Sequence, residues 1–343
     1  MSVDTSNQTA PEEALQSPSS STTPAPPLAE NPSPSPSNSA APQCTLNPRI
    51  SSWRDKGKFD KFRDYQIFYY KQDGLNTTGP LVLLLHGYPS SSYDWVQYLE
   101  LERENSILAI DLLGFGLSDK PPTHDYSLLW QADLVEEMVR RHNPIPNGPV
   151  FIVAHDMSTS IASEIFARDI EGKLTAINVI GALLFNGNMI MEKAKLILGQ
   201  KLLRTKLGPL FSRLSNSIIY RWQLGSVFSR EHPLSREEGE DQWILQTYNG
   251  GHRILHKLIS YTYERVTKAE RWHGAIKDWK KPLSFAWGLA DPVSPLNQFE
   301  GWKDLRPHAD AHEMSGLGHY PQIENPKVFK DVIDAVLEKL GSK

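Results

Sequence analysis

The chain lacks the features that mark several classes of protein. It has a single cysteine, Cys44, among 343 residues, so no internal disulfide can form and a reducing, cytoplasmic setting is expected. No Cys/His cluster has metal-ligand spacing, and no cofactor is expected. No run of Lys and Arg suits a phosphate backbone, and a net charge of −4 with a pI near 6.3 speaks against nucleic acid as a partner. The longest apolar runs, Leu81–Leu85 and Val179–Phe185, fall far short of the roughly 20 residues that cross a bilayer, so no transmembrane segment is expected and the protein reads as soluble.

Lys and Arg are also missing from residues 1–47, a stretch of Ser, Pro, Thr, Ala and Asn with hardly a large apolar side chain. Such a segment cannot bury enough surface to offset its ordering entropy, and it reads as a disordered tail. A targeting role is disfavoured, because transit peptides are Arg-rich and acid-poor whereas this stretch carries Asp4, Glu12, Glu13 and Glu30, and it has no secretory apolar region.

What is present is organised around Val150–Ser160. Val150, Phe151, Ile152, Val153 and Ala154 make a continuous apolar run, the pattern of a central strand covered on both faces. From Ser158 the apolar residues Ile161, Ala162, Ile165 and Phe166 fall at helical spacing. The chain must reverse within about three residues, and small side chains at Ala154, Ser158 and Thr159 let strand and helix approach. Such a turn lifts its central side chain, here Asp156, clear of the sheet.

Elsewhere strands and helices alternate. Tyr65–Tyr70 reads as an edge strand, Leu81–Leu85 as a buried one, Ser91–Leu101 as a helix, Ser106–Ile110 as a strand and Tyr126–Arg141 as an amphipathic helix. After the helix at Ser158–Arg168 and the strand at Ala176–Phe185, helical periodicity alone runs to about Lys281, in Ala194–Leu203, Leu210–Tyr220, Glu237–Tyr248 and Ile254–Val266. Strands resume at Leu283–Trp287 and Ala311–Met314, and Pro326–Leu340 closes the chain as a helix. The pattern predicts an α/β protein with a mostly parallel, doubly wound sheet and an inserted helical segment over its carboxyl edge. The loop Leu113–Pro121 has glycines for tight turns, but neither a Gly-Lys-Ser/Thr ending nor G-x-G-x-x-G spacing, so it is no phosphate loop.

Asp291 and His319 also stand where predicted strands run out into loops. With Asp156 they give the order nucleophile, acid, histidine. Either of the two alone would be read as an ordinary turn or loop residue; the joint placement singles them out.

The motifs resemble the α/β-hydrolase superfamily, in its branch of epoxide hydrolases and haloalkane dehalogenases, and among these the mesoderm-specific transcript proteins and their bacterial relatives. The matching pieces are His86-Gly-Tyr-Pro89, Ser91-Ser-Tyr-Asp-Trp95, Asp111-Leu-Leu-Gly-Phe-Gly-Leu-Ser-Asp119, Ala154-His-Asp156, Phe185-Asn-Gly187, Asp291-Pro-Val293 and His319-Tyr-Pro-Gln-Ile-Glu-Asn-Pro326. The expected organisation is the tail over 1–47, an α/β-hydrolase core over 48–187 and 282–343, and a helical cap over 188–281. The resemblance implies a hydrolase whose Asp156 attacks a saturated carbon to give an alkyl ester, which water activated by His319 then hydrolyses, with Asp291 holding the histidine. Backbone N–H groups of Tyr88 and Met157 are expected to form the oxyanion hole.

An epoxide needs an acid for its ring oxygen, which related epoxide hydrolases take from cap tyrosines. Tyr261 is the first choice among Tyr220, Tyr248, Tyr261 and Tyr263, with packing in the cap core the alternative role. Related dehalogenases cradle halide with a Trp directly after the nucleophile and often an Asn after His-Gly. Here those positions hold Met157 and Tyr88, leaving Trp222, Trp243 or Trp272 as possible donors. The substrate is expected to be a small apolar organic molecule, most readily an epoxide; a dehalogenase with an atypical halide site and a non-hydrolytic binder are the alternatives. Related elbows have Gly where this chain has Ser158, a side chain expected to crowd the strand–helix contact. An esterase using Ser158 itself would need small residues at Asp156 and Ser160.

Overall fold

The computed structural model describes residues 45–341, so all but the last three residues of the expected tail lie outside the described chain. Eight strands, β1 (Lys58–Phe62), β2 (Tyr65–Gln72), β3 (Leu81–Leu85), β4 (Ile107–Ile110), β5 (Pro149–His155), β6 (Asn178–Phe185), β7 (Leu283–Gly288) and β8 (Asp310–Met314), form one sheet in the order β1-β2-β4-β3-β5-β6-β7-β8. β2 pairs antiparallel with β1 and β4, and the other five pairings are parallel. The central strands have no polar face: every residue of β3 and every residue from Val150 to His155 of β5 is buried. They can lie only where helices cover both sides of the sheet.

Those helices include α1 (Pro48–Lys56), α2 (Val96–Leu101), α3 (Leu128–His142) and α4 (Ser158–Ile170). Between β6 and β7 lie α5 (Leu198–Leu203), α6 (Gly208–Leu214), α7 (Ser217–Gly225), α8 (Arg236–Thr247), α9 (Leu255–Leu258), α10 (Tyr261–Thr267) and α11 (Ala269–Asp278). The chain ends with α12 (Leu296–Leu305), α13 (Pro321–Glu324) and α14 (Pro326–Gly341). Local chemistry starts several of them. Asn47 accepts the Ile50 N–H ahead of Pro48, and Ser127 accepts the Leu129 N–H ahead of α3. Among the described residues no helix is long and apolar enough to cross a membrane.

Several details differ from the sequence-based expectation. Tyr65–Tyr70 lies inside β2, the second strand, because β1 covers its outer side. Three of the five β1 residues, Lys58, Asp60 and Lys61, are charged, which hides the strand from an apolar pattern and suits an exposed edge. The helix expected over Leu210–Tyr220 breaks at Asn216, whose side chain accepts the N–H groups of Ile218 and Ile219 and so starts α7 afresh. The one expected over Ile254–Val266 breaks between α9 and α10, α11 falls inside the helical stretch expected to run to about Lys281 without having been delimited, and α12 was not expected.

The helical segment between β6 and β7 is tied by polar side chains to the helices and the loop that surround the sheet. Glu264 of α10 accepts the Leu128 N–H at the amino end of α3, where a helix favours negative charge. Asp241 of α8 takes hydrogen bonds from Arg49, Asn47 and Tyr93, and Gln242 donates to Asp94. The Trp279 ring, just past α11, stacks on Phe166 of α4 at 4.0 Å between centroids.

Candidate active site

Asp156 follows β5 directly and has φ +41, a left-handed backbone that costs a non-glycine residue about 1 kcal/mol or more. The surroundings over-determine it. Its N–H donates to the Phe185 carbonyl at 3.2 Å, and its own carbonyl accepts from the Thr159 N–H at 3.1 Å, the Thr159 hydroxyl at 2.6 Å and Arg265 Nη2 at 2.7 Å. One carboxylate oxygen, Oδ2, accepts the Tyr88 N–H at 3.1 Å. The loop from β3 can come this close because Gly87 has no side chain: a Cβ there would stand 2.8 Å from the Asp156 Cβ and 2.9 Å from His155 Nδ1.

Ser158 does not crowd the contact as expected. Its hydroxyl donates to the His86 carbonyl, pinning the loop after β3 to the first turn of α4, and the side chain is fully buried. It is spent on structure. Met157 is buried at the start of α4, directly after Asp156.

Asp291 lies beyond β7 and His319 beyond β8, and the two side chains meet: His319 Nδ1 is 2.7 Å from Asp291 Oδ2. The Asp291 carboxylate is fully engaged, since Oδ1 accepts the N–H groups of Val293 and Ser294 and Oδ2 also accepts Asn186 Nδ2 at 2.7 Å. The backbone of His319 is clamped as well. Its N–H donates to the Val227 carbonyl, and its carbonyl lies 2.7 Å from His155 Nε2. Burial disfavours a charged His319, but the negative charges of Asp291, Asp156 and Glu324 outweigh it and hold the imidazole up at about 9. Burial pushes His155 the other way, well below the ordinary range, so it serves as a neutral bracket.

Arg265 was not singled out from the sequence. It is 1% exposed, and besides Asp156 its guanidinium bonds Ser160 Oγ at 2.9 Å and the Asn188 carbonyl at 3.1 Å; Nη2 also lies 3.6 Å from Asp156 Oδ1. It sits one helical turn after Tyr261 on α10, and its guanidinium lies 4.7 Å from the Tyr261 ring centre. A buried Arg beside a carboxylate stabilises that charge where water cannot.

A cavity of about 370 Å³ reaches the site at His319 and Tyr88; Asp156, Arg265 and Tyr261 lie behind its lining rather than in it. Its inner end has Tyr88, His319, Tyr320 and Tyr220, and its walls come largely from the apolar residues of α5, α6 and α7. The Tyr220 hydroxyl is buried without a hydrogen-bond partner among the described residues. Tyr261 is buried too, its ring 5.5 Å from that of Tyr88. Tyr263 is elsewhere: it is half-exposed and its hydroxyl donates to the Arg204 carbonyl. Tyr248 packs against Lys120, away from the cavity lining. Of the tryptophans, Trp272 gives its N–H to Glu164, Trp222 faces outward, and Trp243 packs beside Tyr220. Among the described residues no group of three His, Cys, Asp or Glu side chains could hold a metal ion.

The sheet order, the turn after β5 and the paired residues beyond β7 and β8 are those of an α/β hydrolase. Residues 82–332 match the alpha/beta hydrolase family, and the chain belongs to it. It is 45% identical over 291 residues to LipZ of Mycobacterium tuberculosis, named provisionally as a hydrolase, covering 85% of this chain and 99% of that one. It is 33% identical over 294 residues to the mesoderm-specific transcript homolog protein of Homo sapiens, covering 84% and 88% of the two chains. Its fold also matches that of the haloalkane dehalogenase DatA from Agrobacterium tumefaciens, with a TM-score of 0.67 over 83% of this chain and 97% of that one; at 18% identity the likeness is one of fold. The protein is thus an alpha/beta hydrolase, similar in sequence to the mesoderm-specific transcript proteins.

Proposed function

We propose that this hydrolase works through a covalent alkyl ester on Asp156 and that its substrate is a small apolar epoxide. The observation that carries the reading is the carboxylate at the apex of the turn after β5, with one oxygen held by the Tyr88 N–H and the neighbouring Ser158 hydroxyl committed to His86. A carboxylate needs no base to attack a saturated carbon.

In the first step Asp156 Oδ1 bonds to an epoxide carbon while the C–O bond of the ring breaks. The new alkoxide takes a proton from a cap tyrosine. Tyr220 and Tyr261 fit that role because both are buried beside this site, and burial raises both hydroxyls above the ordinary phenol range, keeping them protonated. In the second step water attacks Cγ of Asp156 and gives its proton to His319. The oxyanion forms on Oδ2, where the Tyr88 N–H already stands and the Met157 N–H is the second donor; losing one such donor costs on the order of a hundredfold. Collapse of the adduct releases the diol as His319 returns its proton to the leaving oxygen, and the proton left on the Asp156 carboxyl goes back to the tyrosine, restoring both groups.

The charge of Asp156 times these steps. While Asp156 is ionised it helps keep His319 protonated. Esterification removes that charge and lowers the His319 pKa, so the base is freed when water must be activated. Halide release is less well supported, because the Trp272 N–H is already bonded to Glu164 and Met157 stands directly after the nucleophile. No cofactor and no nucleic acid enters this scheme, and a cytoplasmic setting rests on the cysteine content alone.

The test is turnover of epoxides and bromoalkanes in oxygen-18 water. Diol together with label in Asp156 over repeated turnovers is the expected result, with Asp156→Asn inactive and His319→Gln accumulating an adduct visible by intact mass. Halide release would assign the dehalogenase chemistry instead. Binding without any product, and no adduct in His319→Gln, would make the protein a non-hydrolytic binder.

A further inference from the structure

The outer face of α5–α7 is apolar where a solvated surface would be polar. Of the sixteen large hydrophobic residues exposed among the described residues, seven lie between Leu198 and Trp222. On α6, Leu210 and Leu214 stand one turn apart and are 51% and 61% exposed. On α7, Ile218 and Trp222 repeat that spacing at 71% and 68%, with Ile219 beside them, while Tyr220 and Leu224 fill the inner side. A helix apolar on both sides is ordinarily covered on both.

The patch is also the mouth of the cavity. Leu214 and Ile219 are both exposed outside and part of the wall that leads to His319. Around it stand cations. From Met191 to Gly225 there are seven Lys and Arg against one Glu, a net charge of +6 in a chain of net −4, so the remainder carries −10. Lys195, Lys201, Lys206 and Arg213 are exposed, and none makes an ion pair with a described residue. Two copies meeting face to face here would bring like charge against like charge, which disfavours a symmetric dimer. An anionic, apolar-cored surface satisfies both features at once.

We propose that α5, α6 and α7 form a docking face for an anionic lipid bilayer, which seats the cavity mouth on the membrane so that an apolar substrate enters from lipid. The docking does not depend on the chemistry assigned to Asp156, and its test reads no turnover. The full-length chain is sedimented with vesicles of phosphatidylcholine alone and of phosphatidylcholine mixed with phosphatidylserine. It should bind the mixed vesicles, with a blue shift in tryptophan fluorescence that Trp222→Phe abolishes, and should dissociate at high salt. At roughly fivefold per cation, Lys201→Gln with Lys206→Gln should weaken binding roughly 25-fold. Ile218→Ser with Trp222→Ser, both at exposed positions, should abolish binding with an unchanged circular dichroism spectrum and melting temperature. Failure of the intact protein to sediment with the mixed vesicles would overturn the proposal, as would unaltered binding by the Ile218/Trp222 variant. A dimer in light scattering that becomes a monomer in that same variant would overturn it too, by assigning the face to a second copy.

Discussion

Replacing Asp291 by Asn isolates the interaction on which the proposed activation of water by His319 depends. The substitution keeps the shape of the side chain and removes the charge that sits 2.7 Å from His319 Nδ1. An unfolded imidazole titrates near 6.5 and the folded one at about 9, so the stabilisation from His319 is complete below pH 6.5 and is lost as the pH rises through 9. At about 1.4 kcal/mol per pH unit, that interval corresponds to about 3 kcal/mol. In Asp291→Asn burial is no longer outweighed, and the His319 pKa should fall towards 6.5 or below. The destabilisation of the variant relative to the unaltered protein should therefore be about 3 kcal/mol larger at pH 6 than at pH 9.5, since only below pH 6.5 does the unaltered protein gain fully from a charged His319. Urea unfolding at the two pH values measures that difference, and an NMR titration of the His319 ring measures its cause. Hydrolysis of the covalent adduct should slow by roughly 10⁴-fold, the penalty typical of losing this carboxylate. A destabilisation equal at both pH values, or a His319 pKa that does not move, would refute the reasoning.

Arg265→Met removes donors from the Asp156 and Asn188 carbonyls and from Ser160, all buried, and should cost about 3 kcal/mol in chemical unfolding. Arg265→Lys should recover less than half, because an ammonium cannot span three acceptors as a planar guanidinium does; a Met variant within about 1 kcal/mol of the unaltered protein would show the contacts to be unimportant. Tyr220→Phe deletes a buried hydroxyl that has no partner among the described residues, so stability should hold within about 1 kcal/mol while the proposed epoxide opening slows at least about tenfold. The parallel Tyr261→Phe variant, followed by the same kinetics, tells which tyrosine gives the proton. Asp94, buried between Ser90 and Gln242, is pushed up to about 8 by burial, so its contribution to stability is lost as the pH rises from about 4 through 8. Thermal melts should find Asp94→Asn more stable than the unaltered protein at pH 9, with the advantage shrinking steadily as the pH falls towards 4, and the reverse trend would contradict the assignment.

How much of this was legible beforehand depended on whether the signal was local. The change from a β-branched apolar run to helical spacing across Asp156 is contained in about a dozen residues, and it locates the turn, the strand beneath it and the helix beyond. Asp291 and His319 were found by the same local means, as polar residues placed just after apolar strands. β1 escaped because three charges in five residues leave no apolar alternation, and the break at Asn216 escaped because capping competes with a periodicity that continues across it. Ser158 was read as an obstacle, since nothing near it in sequence shows that the His86 carbonyl, 72 residues earlier, would accept its hydroxyl.

The sequence by itself determined the alternation of elements, the order of the candidate site residues and the α/β-hydrolase class, because each rests on residues a turn or a strand apart. Only the tertiary structure decided that Arg265 reaches Asp156 across 109 residues, that Asn186 joins Asp291 across 105, and which tyrosines turn inward. It also decided that the apolar residues of α6 and α7 remain outside. Helical spacing predicts a buried stripe, and whether anything covers the opposite side depends on neighbours that periodicity along one chain segment does not encode.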